Sequence, residues 1–271
     1  MRFAAYTLIH IIAASVAAKT VVPLGDSLTN AKRWLPEVVN LSNGNISYVG
    51  SYPWTLDDAD ETQRTGGHEG RSGFSAKDYA TGAVYTYGGE TTPNIWWNGS
   101  RFSFTAFKNA TGLNPDIIQI WVGVNGLSED NNENVGYIKQ MVDNIRLDNS
   151  TSPIFICVTP YKADQNGIGN QGTTDGYTGS GTNQWSFDEN YRIFNLMQNI
   201  YQKLGSYSNV GIINLALFHD SKYNYGWQQV HVNPRAAQWE NIPNESVHPA
   251  LQGYFQIADI LFSNYCGLIT Q

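Results

Sequence analysis

The stretch "VVPLGDSLTN", Val21–Asn30, places an Asp and a Ser on a glycine-led corner directly after an apolar run. The short β-branched run favours a buried strand, and Asp and Ser are typical caps at the start of a helix. The corner therefore predicts a strand, a turn and a helix through "LTNAKRWLPEVV". In parallel sheets such corners lie at the carboxyl edge, where ligands bind. Ser27 is thus either a helix cap or a nucleophile whose oxyanion the helix dipole would stabilise.

The rest of the chain alternates short apolar runs with helical patterns. Strands are predicted at Thr20–Gly25, Ile46–Tyr52, Asp116–Gly123, Pro153–Thr159 and Val210–Phe218. Apolar residues recur at helical spacing in three separate segments. These lie around Ile138, after a Ser186-x-x-Glu189 capping box, and from Leu251 to Tyr265. Strands that are apolar throughout are covered on both faces. We therefore expect an α/β fold, a three-layer α/β/α sandwich around a central parallel sheet of about five strands.

Composition narrows the class of protein. A chain of 271 residues that is 41% hydrophobic can bury a large core, and we expect residues 19–271 to form one domain. Charged residues are only 14% of the chain, the net charge is −7, and no Lys/Arg cluster occurs, so nucleic acid and anionic membranes are poor candidates for partners. Cys157 and Cys266 have no zinc-type spacing, which favours buried free thiols and no metal.

The first eighteen residues, "MRFAAYTLIHIIAASVAA", have one Arg, an apolar stretch and small residues before Lys19. This order is typical of a signal peptide cleaved after Ala18. The alternative is a leader or linker within a longer polypeptide such as a virion protein. Both alternatives predict an extracellular location, by secretion or by display on a cell or virion. No other run reaches the roughly 18 to 20 apolar residues of a membrane span.

Two segments are longer than ordinary connections, and loops of that length are often functional. Gly82–Asn114 is rich in aromatic residues, and Tyr161–Trp185 is rich in Gly, Asn and Thr. The aromatic segment either seals the helix layer or presents Trp96 and Trp97 as a platform for sugars.

A nucleophilic serine needs a base. The candidate is His248 in "NESVHPALQGY", just before the last helical pattern, with Glu245 three residues upstream to orient the imidazole. His219, after the fifth predicted strand, is the reserve. Asp26 is expected to form a hydrogen bond with the backbone at the corner and to contribute to substrate binding. His68 lacks the second His of a zinc H-E-x-x-H motif.

Four short sequence motifs follow one another along the chain in a recognisable order. They are "GDSL" at Gly25–Leu28, Gly70 in "HEGRSGFS", "GVN" at Gly123–Asn125 and "ESVHP" near the end. This order resembles the GDSL, or SGNH, hydrolases, whose fold is flavodoxin-like. The block around Gly70 is most similar to secreted carbohydrate esterases such as acetylxylan esterases, and also to esterase domains of bacteriophage proteins.

The resemblance implies a role for each matching residue. Ser27 would attack an ester carbonyl, and His248 would take its proton and pass it to the departing alcohol. The oxyanion would be held by the N–H groups of Ser27 and Gly70 and by the side-chain amide of Asn125. Gly70 would allow a close approach of backbone to substrate. This mechanism needs no cofactor and no metal.

Two positions depart from the pattern of that family. In that family an Asp usually follows the Asn of the third motif, and here Gly126 follows Asn125. We expect this replacement to change how the loop is held in place more than it changes the reaction. Glu245 replaces the Asp that usually precedes the His by three residues. Glu245 is expected to orient His248, with Asn244 or a backbone carbonyl as the alternative.

The loops predict the substrate class. The two long segments are rich in Trp, Tyr, Asn and Gly and have no extended apolar stripe. A binding surface of this composition suits a small acyl group on a sugar better than a long acyl chain. The expected reaction is removal of acetyl groups from an acylated polysaccharide. The alternatives are a general short-chain esterase or lipase-like enzyme, and a carbohydrate-binding or virion structural module with an inactive site.

Overall fold

The structure is a computed structural model that describes residues 18–55, 64–87, 89–163, 186–231, 235–243 and 247–269. The strands are β1 Lys19–Gly25, β2 Ile46–Tyr48, β3 Tyr52–Thr55, β4 Arg64–Gly70, β5 Tyr85–Tyr87, β6 Glu90–Thr92, β7 Ile117–Trp121, β8 Ile154–Val158, β9 Val210–Asn214, β10 Trp227–His231 and β11 Trp239–Pro243. The helices are α1 Ser27–Asn30, α2 Leu35–Leu41, α3 Ala76–Thr81, α4 Phe104–Thr111, α5 Asn132–Asp148, α6 Ser186–Leu204, α7 Leu215–Phe218 and α8 Leu251–Ile269. Within these ranges no helix is long and apolar enough to cross a membrane.

The central sheet has the order β3-β4-β1-β7-β8-β9, and β2 pairs with the first half of β1. Every neighbouring pair is parallel except β3 and β4. One side of β1 is therefore shared, because β2 pairs with its first residues and β4 pairs with Leu24 and Gly25 at its end. Three of the predicted strands are confirmed as β1, β7 and β8, and the α/β fold with a parallel sheet between helices is confirmed too. The other two are only partly right, because the run Ile46–Tyr52 divides into β2 and the first residue of β3, and the run Val210–Phe218 ends as the helix α7, which Asn214 caps.

The core lies in two layers, one on each face of the sheet. Successive residues of β1 point to opposite faces, so Val21 packs with α2 and α8, whereas Val22 packs with α5 and α6. β7 alternates in the same way at Ile117 and Ile118. Since both faces are covered, the strands need apolar residues on both sides, which explains their continuous apolar runs.

The helix predicted to run on from Ser27 is wrong in its length. α1 ends at Asn30, Lys32 adopts a left-handed conformation with φ 63°, and a second helix, α2, begins at Leu35. Pro36 explains the restart, because proline fits the first turn of a helix but breaks a helix interior. The helix after the corner is a single turn, so its dipole contributes little, and specific N–H donors must stabilise an oxyanion.

The carboxyl edge of the sheet is held in a fixed shape around the corner. A Cβ on Gly25 would lie 2.0 Å from the Thr29 hydroxyl and 2.6 Å from the Trp121 carbonyl oxygen, so no larger residue fits. The Tyr79 hydroxyl lies 2.8 Å from the Gly25 carbonyl oxygen and 2.5 Å from that of Glu69. The ends of β1 and β4 are therefore tied together beside Ser27.

Candidate active site

Ser27 and His248 meet at the carboxyl edge, although 221 positions separate them in the sequence. Ser27 is the first residue of α1, and His248 lies just before α8. The Ser27 Oγ and the His248 Nε2 are 2.8 Å apart, and both residues are half-buried. A neutral imidazole at this distance can accept the hydroxyl proton, while partial exposure leaves Oγ open to a reactant.

Asp26 caps α1 rather than contacting solvent. The residue is fully buried, and its Oδ1 accepts a hydrogen bond of 2.9 Å from the Leu28 N–H. Burial raises the pKa of the Asp26 carboxyl to about 7, against the lowering effects of the Leu28 N–H and of the charge on protonated His248. The predicted bond to backbone at the corner is confirmed, but the grouping of Asp26 with substrate-binding residues is wrong because no atom of it reaches the surface.

Gly70 packs so closely against α1 that only a glycine fits at this position. A Cβ there would lie 2.4 Å from the backbone nitrogen of Asn30, so the close approach is to the backbone of α1. The Gly70 N–H donates a hydrogen bond of 3.0 Å to Nδ1 of His68. His68 is buried, and its burial lowers its pKa to about 3, so the ring is neutral and Nδ1 stays an acceptor. The single Gly70 hydrogen must therefore be shared or released before it can hold an oxyanion.

Asn125 follows β7 and is fixed by one of its two amide hydrogens. Its Nδ2 donates a hydrogen bond of 3.0 Å to the Phe74 carbonyl oxygen. A side-chain amide carries two donors, so one remains for a ligand. Gly126 has φ +97°, a conformation that strains any residue with a Cβ. The left-handed backbone of this loop therefore explains why position 126 is a Gly rather than an Asp.

The aromatic segment packs inward. Trp96 is fully buried, and its ring stacks on Phe102 and Phe107 with centroids 5.1 Å and 4.4 Å away. A buried ring cannot form a sugar platform, so that prediction is wrong for Trp96, and the sealing of the helix layer explains it. Trp97 is half-buried and lies against Gly82. A contact of Trp97 with sugar stays a prediction.

Several predictions concern residues outside the described ranges. Glu245, the proposed acid of the triad, and Asn244, its alternative, lie in the gap before residue 247. Residues 1–17 of the predicted leader and residues 164–185 of the polar segment also lie outside.

His219, the reserve base, lies at the end of α7, and its ring packs against Gly253 of α8. It is 6% exposed, and its ring meets Tyr225 edge-on with centroids 5.6 Å apart. Neither ring nitrogen has a hydrogen-bond partner in the described part of the chain. Burial lowers its pKa to about 4, although the charge of Asp220 opposes that change. His219 is therefore a buried neutral histidine.

Replacing His219 by phenylalanine is expected to weaken the acid sensitivity of folding. Between about pH 6.5 and 4 the unfolded chain binds a proton at His219 that the folded chain does not, so the free energy of unfolding falls as the pH falls. At about 1.4 kcal/mol per pKa unit, this loss is up to about 3 kcal/mol. Urea unfolding of wild type and His219→Phe at pH 7.5 and 4 measures it, with exposed His231→Phe as the matched control. Equal pH dependence in wild type and His219→Phe would contradict the assignment.

Two supporting residues were missed from the sequence. Phe74 offers the carbonyl that orients Asn125, and His68 accepts from Gly70. A backbone carbonyl leaves no sequence signal. His68 does leave one, since it lies two residues before Gly70, within reach of the Gly70 N–H. In the described residues no group of three or more His, Cys, Asp or Glu side chains could hold a metal ion.

Comparisons with known proteins extend this description. No protein-family model matches the sequence, and no curated protein sequence matches it. The structure is similar to a family 3 carbohydrate esterase from Clostridium thermocellum, with a TM-score of 0.55, 16% identity and coverage of 93% of this chain and 98% of that chain. A carbohydrate esterase family 3 protein from Talaromyces cellulolyticus matches with a TM-score of 0.54, 18% identity and the same coverage. A carbohydrate acetylesterase family member from Sinorhizobium meliloti matches with a TM-score of 0.54, 13% identity and coverage of 93% and 100%. At these identities the likeness shows the fold alone, which this chain shares with these carbohydrate esterases.

Proposed function

We propose that this chain is a serine esterase that removes short acyl groups, above all acetyl, from a carbohydrate. The observation that carries the proposal is the 2.8 Å contact between Ser27 Oγ and His248 Nε2 at the carboxyl edge of the sheet. The free donor of Asn125 is a second support. The similar solved structures include proteins named carbohydrate esterase and carbohydrate acetylesterase, which favours an acylated sugar as the substrate.

In the first half of the reaction, Ser27 Oγ attacks the ester carbonyl while His248 Nε2 takes its proton. The carbonyl oxygen becomes negative and is stabilised by the Ser27 N–H and the Asn125 amide, with the Gly70 N–H joining if it leaves His68. The ester C–O bond then breaks. His248 passes the proton to the departing sugar hydroxyl, leaving an acyl group on Ser27.

In the second half, water takes the place of the sugar hydroxyl. His248 accepts a proton from the water as its oxygen attacks the acyl carbon, and the same donors hold the second oxyanion. Collapse releases the carboxylic acid, and the proton on His248 returns to Ser27. The proton and the leaving group are therefore both accounted for by Ser27, His248 and one water molecule.

The charge that develops on His248 needs support. In the proposal Glu245 accepts from Nδ1 of the imidazole and holds it with Nε2 facing Ser27. Asp26 acts indirectly, because its buried carboxyl fixes the start of α1 through the Leu28 N–H. An extracellular location, with secretion or display on a cell or virion, is part of the proposal, since the substrate is a polysaccharide.

A substrate panel tests the proposal. Purified protein is assayed on acetylated xylan, on an acetylated bacterial surface glycan, and on p-nitrophenyl acetate, butyrate and octanoate, with Ser27→Ala as the control. We expect Ser27-dependent release of acetate from a glycan, and rates on the p-nitrophenyl esters that fall as the acyl chain lengthens. No Ser27-dependent turnover of any substrate would overturn the esterase. Rates that rise with acyl length would overturn the deacetylase in favour of a lipase-like enzyme.

A further inference from the structure

A cavity of about 150 Å³ lies between the start of α3 and the start of α5. Its lining includes Ser75, Lys77, Gly126, Glu133, Asn134 and Tyr137. Two of these residues are chain neighbours of the hydrogen bond that orients the Asn125 amide. Ser75 follows Phe74, whose carbonyl accepts that bond, and Gly126 follows Asn125 itself. The cavity therefore lies next to the loop that carries Asn125, on the side of Gly126 and Ser75.

Gly126 keeps this cavity open. A Cβ at position 126 would lie 3.6 Å from the Ser75 Cβ and 4.0 Å from Oδ1 of Asn134, so a side chain there would extend between two of the lining residues. The related motif usually has Asp at this position. A carboxymethyl group would occupy part of the space that Gly126 leaves free. The departure from the family pattern thus creates room beside the reacting centre.

The lining combines polar side chains with apolar surface, and its two charged side chains have opposite signs. Lys77 Nζ lies 3.7 Å from Glu133 Oε1, and the Tyr137 hydroxyl donates to that oxygen at 3.2 Å. Both charged side chains are mostly exposed, at 61% and 73% of their side-chain surface, so they can turn toward a ligand. One cation and one anion favour a neutral ligand with many hydroxyl groups over an anionic one. The half-buried Tyr137 ring adds an apolar face of the kind on which sugar rings pack.

Size separates the two parts of the substrate. The volume of about 150 Å³ is many times the minimum of about 10–15 Å³ that one water molecule needs, so the space admits a ligand much larger than water. A space of mixed polar and apolar lining suits one sugar ring. A long acyl chain would need an extended apolar surface, because burying it among Lys77, Glu133 and Asn134 would desolvate polar groups without replacing their hydrogen bonds.

We propose that this cavity is the subsite for the neutral pyranose ring that carries the acyl group. The inference rests on the proposed esterase function. With the carbonyl oxygen at Asn125, the sugar oxygen of the ester is directed past Gly126 into the cavity. Lys77 and Glu133 then bind ring hydroxyls, and their effect is on the affinity for the sugar rather than on the bond-breaking step.

The test compares two substrates that share an acetyl group. One is p-nitrophenyl acetate, and the other is an acetylated xylo-oligosaccharide. Lys77→Ala and Glu133→Ala are expected to raise KM for the saccharide about five-fold and to leave kcat/KM for p-nitrophenyl acetate within about two-fold, as for the loss of one ligand hydrogen bond. Lys139→Ala is the matched control, because it removes another exposed ion pair of α5, with Asp143. That variant should leave both substrates unchanged.

The outcomes separate the subsite from the esterase. Equal effects on both substrates, no effect on either, or turnover of p-nitrophenyl acetate alone would overturn the subsite and leave the esterase standing. Absence of Ser27-dependent turnover would overturn the esterase. Binding then decides the cavity by itself: xylotriose is titrated into the Ser27→Ala protein by NMR, and Glu133→Ala in that background is expected to weaken binding about five-fold. Unchanged affinity would overturn the subsite.

Discussion

Replacing either Ser27 or His248 by alanine is expected to lower kcat by about 10⁴- to 10⁶-fold, and replacing both is expected to cost no more than the larger single loss. The reason is the 2.8 Å contact between Oγ and Nε2. A serine without its base keeps the proton, and a base without its serine has nothing to activate. Steady-state kinetics with p-nitrophenyl acetate, for the two single variants and the double variant, measure this result.

The controls for this cycle come from the same chain. Ser263→Ala removes an exposed serine of α8, and His231→Ala removes an exposed histidine of β10. Both are expected to keep kcat within about two-fold, since surface substitutions away from a site change little. If the losses of Ser27→Ala and His248→Ala multiplied in the double variant, the two residues would act independently, and the proposed proton transfer between them would be wrong.

The sheet could be predicted from the sequence where strands are covered on both faces. β8 is apolar throughout, and β1 and β7 are mainly apolar, so their composition marks them as buried strands. β4, "RTGGHEG", is absent from the predicted strands because its three glycines and four polar side chains resemble a loop. It forms a strand because β3 pairs along it and because β1 accepts its last two residues. Such pairing is a tertiary effect that a local pattern does not contain.

The site was partly predictable for a similar reason. The order of blocks brought Ser27, Gly70, Asn125 and His248 together as candidates, and the topology explains why: three of them follow or end neighbouring strands β1, β4 and β7. Hydrogen bonding between side chain and backbone was not predictable. The bond from Asn125 to Phe74 and the burial of Trp96 depend on distances across the fold that spacing along the chain cannot give.

Those hydrogen bonds decide which oxyanion donor should matter most. The Gly70 N–H has one hydrogen, which His68 already accepts, whereas the Asn125 amide keeps one hydrogen after bonding to Phe74. The turn of helix at Ser27 is too short for its dipole to compensate. We therefore expect Asn125 to stabilise a larger share of the charge of an oxyanion than Gly70 does, unless the Gly70 N–H leaves His68.

Asn125→Ala is accordingly expected to lower kcat by about 10²- to 10³-fold with KM nearly unchanged, because the lost bond forms in the transition state. Asn125→Asp, which has the same size but no donor, should lose at least as much at pH 8. Asn199→Ala is the matched control, since Asn199 is also half-buried and donates its amide to a backbone carbonyl, that of Asp130. Thermal unfolding of each variant separates loss of fold from loss of chemistry. A raised KM with kcat unchanged would place Asn125 in ground-state binding and return the oxyanion to the backbone donors, which would require the Gly70 N–H to leave His68.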